Sequence, residues 1–193
     1  MPGRIPVGSL INYGYKNSVV LPARLALAPG VPTAPLRIGA ALRWLICHDV
    51  CIPDKADLEL SLPLSDPDRK QLPGWRREME DARSRVPRPL PETWMAAAVS
   101  RGDSFVVSLS MNRPVAATPV LYPIDAGQID DSAPQEIKIS GGALTLTLRK
   151  SDQLPAEPEV FRFVLALSSG EAFAAAVPVQ KQNGDRSKEK KKK

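Results

Sequence analysis

Cysteine and histidine are nearly absent from this chain, with two cysteines and one histidine in 193 residues. Two cysteines exclude the multi-disulfide framework that staples small secreted domains, and they leave Cys47 to Cys51 as the one intramolecular bridge available. His48 lies between them. With that histidine held between cysteines and no nucleophile-elbow motif, Ser/His/Asp hydrolysis is discarded. Structural zinc fares no better, because adjacent Cys47 and His48 do not converge easily on one tetrahedral ion and no second cysteine pair exists. No run approaches the roughly 18 apolar residues that span a bilayer. The first residues, Met1-Pro2-Gly3-Arg4-Ile5-Pro6, lack the apolar core of a signal peptide. A soluble chain is therefore expected. Because a cysteine pair of this kind suits an oxidising compartment, the expectation is also of a fragment whose amino-terminal sequence is missing.

Excess charge is lacking too. The formal net charge of +5 is concentrated in the last six residues, Lys188 to Lys193, and without them 21 Lys+Arg face 20 Asp+Glu. A nearly neutral body with a lysine-rich end reads as a solvated tail and not as a nucleic-acid arm.

What is present is punctuation. Twenty prolines and twelve glycines cut the chain into short segments that alternate in polarity or are rich in β-branched residues, the pattern of strands. Strands are expected over 18–27, 36–46, 56–62, 104–110, 143–149, 160–167 and 172–179, and their spacing favours an all-β, antiparallel sandwich. Leu58, Leu60 and Leu62 alternate with polar residues, as do Leu144, Leu146 and Leu148, so both sets are read as core. The charge-dense stretch 74–85 predicts a short surface helix. Beyond it Val86-Pro87-Arg88-Pro89-Leu90-Pro91 predicts an extended linker. The expected division is a β-domain over 1–68, truncated at its start, a helix and linker over 69–92, a second sandwich unit over 93–180 and a disordered tail over 181–193.

Chemistry is concentrated in Arg43-Trp44-Leu45-Ile46-Cys47-His48-Asp49-Val50-Cys51-Ile52-Pro53, a strand-like run leading into the cysteines. A bridge closing so short a loop adds only about 2 kcal/mol of chain-entropy stabilisation. Reversible exchange is therefore a better reason to keep it than stability. Exchange needs a thiolate, which positive neighbours favour and negative ones oppose. His48 and Arg43 are the candidates on one side and Asp49 on the other. Trp44, on the entering strand, is read as core before contact surface. Tyr13 and Tyr15 are read either as part of a cap over the cysteines or as packing at a domain edge. Two thiolates would also suit copper(I), although the Sco copper chaperones with a similar Cys-x-x-x-Cys loop add a distant histidine that this chain lacks.

The run Trp44-Leu45-Ile46-Cys47 through Cys51-Ile52-Pro53, followed by Ala56-Asp57-Leu58-Glu59-Leu60-Ser61-Leu62-Pro63, resembles the amino-terminal periplasmic domain of the DsbD/ScsB thiol:disulfide interchange proteins. Ile11-Asn12-Tyr13-Gly14-Tyr15 with Val20-Leu21-Pro22, Leu121-Tyr122-Pro123 with Ile129-Asp130, and the junction around Trp75 and Pro87 resemble it too. The resemblance implies an immunoglobulin-like redox module in the periplasm with Cys47 and Cys51 as its redox-active pair and no cofactor. Such a module takes reducing equivalents from a thioredoxin-like domain and passes them to disulfide isomerases or cytochrome c maturation proteins. The alternatives are a non-catalytic β-sandwich interaction module of a membrane redox complex and a copper(I)-binding module.

Overall fold

A computed structural model describes residues 1–8, 10–27, 29–30, 35–48, 50–62, 75–115 and 118–181. The tail from 182 onward and Asp49 lie outside them. Two compact units emerge, one made of Met1–Tyr15 together with Arg85–Lys193, the other of Lys16–Ser84. The units do not follow the expected order along the chain, since residues 1–15 group with the later half.

The first unit is a β-sandwich. One sheet has the order β8 (Val120–Pro123), β11 (Val160–Ala166), β12 (Ala172–Lys181), with β5 (Arg88–Pro89) parallel to β12. The other runs β6 (Met95–Arg101), β7 (Ser104–Ser110), β10 (Ala143–Arg149), β9 (Glu136–Ser140), all antiparallel. β12 belongs to both. It pairs with β11 as far as Pro178, then with β6 from Val179 to Lys181. A proline at this handover fits, because it cannot donate to a ladder and is tolerated where one ladder stops.

Alternation explains the core. Phe105, Val107 and Leu109 of β7, Leu144, Leu146 and Leu148 of β10, and Phe161, Phe163 and Leu165 of β11 are all at most 2% exposed, because successive residues of a strand point to opposite faces. Phe105 and Phe161, from the two different sheets, meet with ring centroids 5.2 Å apart. Burial of each such side chain is worth about 1.5–3 kcal/mol, so these stripes hold the sandwich.

Three local features complete the unit. The hairpin β1 (Gly3–Val7) and β2 (Leu10–Gly14) turns at Gly8, whose φ of 61° suits glycine. Arg4 donates to the carbonyl oxygen of Asp131, and the Tyr13 hydroxyl donates to Asp131 Oδ1 at 2.7 Å while its ring meets Tyr122 edge-on at 5.4 Å. These contacts give Tyr13 a packing role and account for the grouping of the first residues with the sandwich. The expected proline-rich linker is extended, as read, yet it is not a loose connection: it holds β5, and Leu90 N–H donates to Ala174 O at 3.1 Å. Glu171 accepts hydrogen bonds from Arg88 at 2.9 Å and Arg113 at 2.5 Å. Those guanidinium groups lie over the rings of Phe173 and Trp94, which touch each other at 4.8 Å. One carboxylate thus holds two cations against an aromatic pair.

The second unit is smaller. The stretch 18–27, read as a strand, has no regular secondary structure; Pro22 lacks the N–H that a ladder requires, and Leu21, Leu25 and Leu27 are exposed. Helix α1 (Arg76–Ser84) forms where expected, with Glu78 in its first turn and Arg83 in its last, the arrangement that complements the helix dipole. Among the described residues its remaining regular element is a ribbon of two long strands.

Candidate functional site

The ribbon consists of β3 (Leu36–Cys47) and β4 (Cys51–Leu62), antiparallel and in continuous register from Leu36↔Leu62 to Cys47↔Cys51. β4 starts five residues before the expected strand at 56, because Pro53 and Asp54 read as turn residues. Among the described residues β4 pairs only with β3. Its outer edge therefore needs no ladder donor at Pro53.

At the tip, three residues connect the strands and the His48 N–H donates to Val50 O at 3.1 Å. Cys47 and Cys51 face each other and are joined by a disulfide, with Cα atoms 4.1 Å apart. The bridge is thus a cross-strand link at the end of a ladder already closed by eleven other facing pairs. Both cysteines are partly buried, whereas Val50 and Ile52 beside them are 66% and 60% exposed.

Continuous register sorts every ribbon residue to one of two faces. The face opposite the sulfurs holds Leu36, Ile38, Ala40, Leu42, Trp44 and Ile46 against Leu62, Leu60, Leu58, Ala56, Asp54 and Ile52. This face is apolar except for Asp54; Leu36, Ile38, Ala56 and Leu62 are partly buried, but Leu58 and Leu60, read as core, are 57% and 52% exposed. Trp44, also read as core, is 39% exposed. It lies on the face away from the disulfide, so as a modulator it does not touch the sulfurs' side.

The disulfide face carries, from tip to base, Cys47↔Cys51, Leu45↔Pro53, Arg43↔Lys55, Ala41↔Asp57, Gly39↔Glu59 and Arg37↔Ser61. Arg43, a sequence candidate for offsetting thiolate charge, is on this face, but four residues from Cys47, about 13 Å along the strand. His48 is exposed in the connecting loop. Lys55 was not singled out from the sequence; counting register back from a Cys47↔Cys51 pair is the signal that finds it. Arg43, Trp44, Leu45, Pro53, Asp54 and Lys55 line a hollow of about 630 Å³.

Elsewhere the titratable groups have structural partners. Hydrogen bonds from Ser132 and then from Arg149 hold the Asp130 carboxyl far below the usual carboxylate range, and burial, followed by the bond to Asp131, pushes the Tyr13 hydroxyl up. The carboxylates 130 and 131 are thus engaged in holding the sandwich. Among the described residues no group of three or more His, Cys, Asp or Glu is placed to hold a metal ion.

A β-sandwich unit together with a two-stranded ribbon that ends in a disulfide defines an all-β, immunoglobulin-like protein with a locally closed cysteine bridge. Its fold is similar to that of the N-terminal periplasmic domain of ScsB from Proteus mirabilis, with a TM-score of 0.55 at 17% identity, covering 76% of this chain and 58% of that one. The chain therefore spans less than two thirds of that neighbour's length. The fold expected from the DsbD/ScsB resemblance is the fold observed. No protein-family model and no curated protein matches the chain.

Proposed function

We propose that the chain is a thiol:disulfide interchange module that works in the periplasm, receiving reducing equivalents from a thioredoxin-like domain and passing them to disulfide-bonded partners. The observation that carries this reading is the position of the Cys47–Cys51 bridge at the tip of a ribbon whose strands are already in register without it. A bridge across a loop of about five residues stabilises by only about 2 kcal/mol. Its chemistry, more than its strength, accounts for it. The periplasmic domain with the similar fold supports the compartment.

Reduction proceeds by attack of a donor thiolate on one sulfur of the bridge. The donor–cysteine bond forms, the Cys47–Cys51 bond breaks, and the departing cysteine leaves as a thiolate that takes a proton from water. The donor's second thiol, deprotonated, then resolves the mixed disulfide. Two electrons have moved, the donor is a disulfide and this chain a dithiol. Delivery to an oxidised partner runs the same steps in reverse.

Single Cys47→Ser and Cys51→Ser variants test the reading, since each leaves a lone thiol that cannot resolve a mixed disulfide. At least one should accumulate an adduct with an oxidised thioredoxin-like domain, visible by non-reducing electrophoresis. If neither forms an adduct, the exchange reading fails. The open apolar face of the ribbon favours a second reading, a non-catalytic interaction module. A reduction potential far below the glutathione range would favour that alternative. Copper(I) binding would require the bridge to be reduced first, because the two sulfurs are bonded to each other.

A further inference from the structure

We infer that Arg43 and Lys55 form a cationic docking pair that selects partners with carboxylates around an accessible cysteine; this rests on the exchange reading above and names the kind of partner it takes. The register places the two cations directly opposite each other on the disulfide face. Like charges in facing positions of an antiparallel pair destabilise it, so packing within the ribbon gives no reason for the arrangement. Both residues are exposed, and among the described residues neither side chain has an ion-pair or hydrogen-bond partner. The other charges are arranged differently: Glu59 pairs with Arg37 at 3.7 Å, Asp57 lies a step further towards the base, and Asp54 points to the opposite face. Asp49, in the loop, is outside the described residues.

Distance decides between two roles for the pair. About 13 Å separates either cation from the nearer cysteine along its strand, beyond the Debye length of about 8 Å at physiological salt. Direct stabilisation of a thiolate on Cys47 or Cys51 is therefore weak. A protein partner, in contrast, covers about 800 Å² on each side of a standard interface, a disc roughly 16 Å in radius. A partner whose cysteine meets the bridge consequently lays its rim over Arg43 and Lys55, with Leu45 and Pro53 as the apolar step between. The complementary surface is a thiol in a shallow apolar setting with Asp or Glu about 10–15 Å away, a spacing that follows from the strand rise. Arg43 and Lys55 line the hollow described above together with Trp44, Leu45, Pro53 and Asp54.

The test uses the full chain with its disulfide intact and three synthetic dithiol peptides: a central Cys-x-x-Cys pair flanked on both sides by glutamates, by lysines or by serines, so that the peptide's second thiol resolves the mixed disulfide. Second-order rates of bridge reduction, corrected for each peptide's thiolate fraction, are measured at low and high salt for the wild type and for Arg43→Gln/Lys55→Gln. The double variant should slow the glutamate peptide by about threefold to tenfold, speed the lysine peptide and leave the serine peptide unchanged, with the differences shrinking in salt. Arg37→Gln, at the far end of the same face, should preserve the wild-type preference. Equal effects on all three peptides, or none, overturn the docking pair while leaving exchange intact. A bridge that even the serine peptide fails to reduce in the wild type overturns the exchange reading, and this inference with it.

Discussion

Leu144, Leu146 and Leu148 of β10 and Leu58, Leu60 and Leu62 of β4 obey the same rule of alternation, yet the first set is at most 1% exposed while Leu58 and Leu60 are more than half exposed. The difference lies in the partners. β10 is flanked by β7 and β9 and faced by the phenylalanines of β11, whereas among the described residues β4 has β3 alone. Alternation states that a strand has a face to bury, and only the topology states whether anything is there to bury it. A lone two-stranded ribbon is marginal in water, so the ribbon and the sandwich should respond very differently to the same perturbation.

The largest contrast is expected from truncation. Phe163→Ala, at a position with no exposure, should cost about 3–5 kcal/mol, and Leu60→Ala less than about 1 kcal/mol, both read from urea unfolding. A Leu60→Ala cost equal to that of Phe163→Ala would break the comparison and show that the ribbon's apolar face is packed. Next comes reduction of the bridge, which should remove about 2 kcal/mol and do so locally. Amide exchange should quicken in β3 and β4 and stay unchanged in β7, β10 and β11. Loss of protection in the sandwich would make the bridge a staple of the whole fold.

Much of the sandwich was legible because β7, β10 and β11 carry large apolar residues at every second position. β6 and β9 were not. Met95-Ala96-Ala97-Ala98-Val99 offers alanines, which favour strands little, and β9 is five residues long. The disulfide was legible because only one pair of cysteines exists. The pairing of Arg43 with Lys55 was hidden, since it depends on register, and a one-residue slip would send both to the other face.

Smaller effects sharpen the account of the sandwich. Tyr13→Phe deletes a hydrogen bond to Asp131 and should cost about 1 kcal/mol. Because burial and Asp131 raise the Tyr13 pKa, the hydroxyl's contribution is fully present below the ordinary tyrosine value of about 10 and is lost as pH rises through the raised folded value. Alkaline unfolding of wild type and Tyr13→Phe should therefore converge. The smallest effect concerns Glu171, whose pKa is lowered first by its bond from Arg113. Its contribution is present above the ordinary glutamate value of about 4.3 and is lost as pH falls through the depressed folded value. Thermal unfolding across that acid range should decline less steeply in Glu171→Gln than in the wild type.

The shared strand β12 has a consequence for the order of events during synthesis. Every other strand of the sandwich precedes it in the chain, and both sheets include it. Neither sheet is complete until residues 172–181 have left the ribosome, so β6 and β11 emerge without one of their ladder partners. The β6–β7, β9–β10 and β11–β12 pairings are local hairpins, whereas β7–β10, β8–β11 and β12–β6 join distant parts of the chain, the kind of contact that slows folding and prolongs exposure to aggregation. The sandwich should thus close only once β12 is available, whereas both strands of the ribbon have emerged by residue 62.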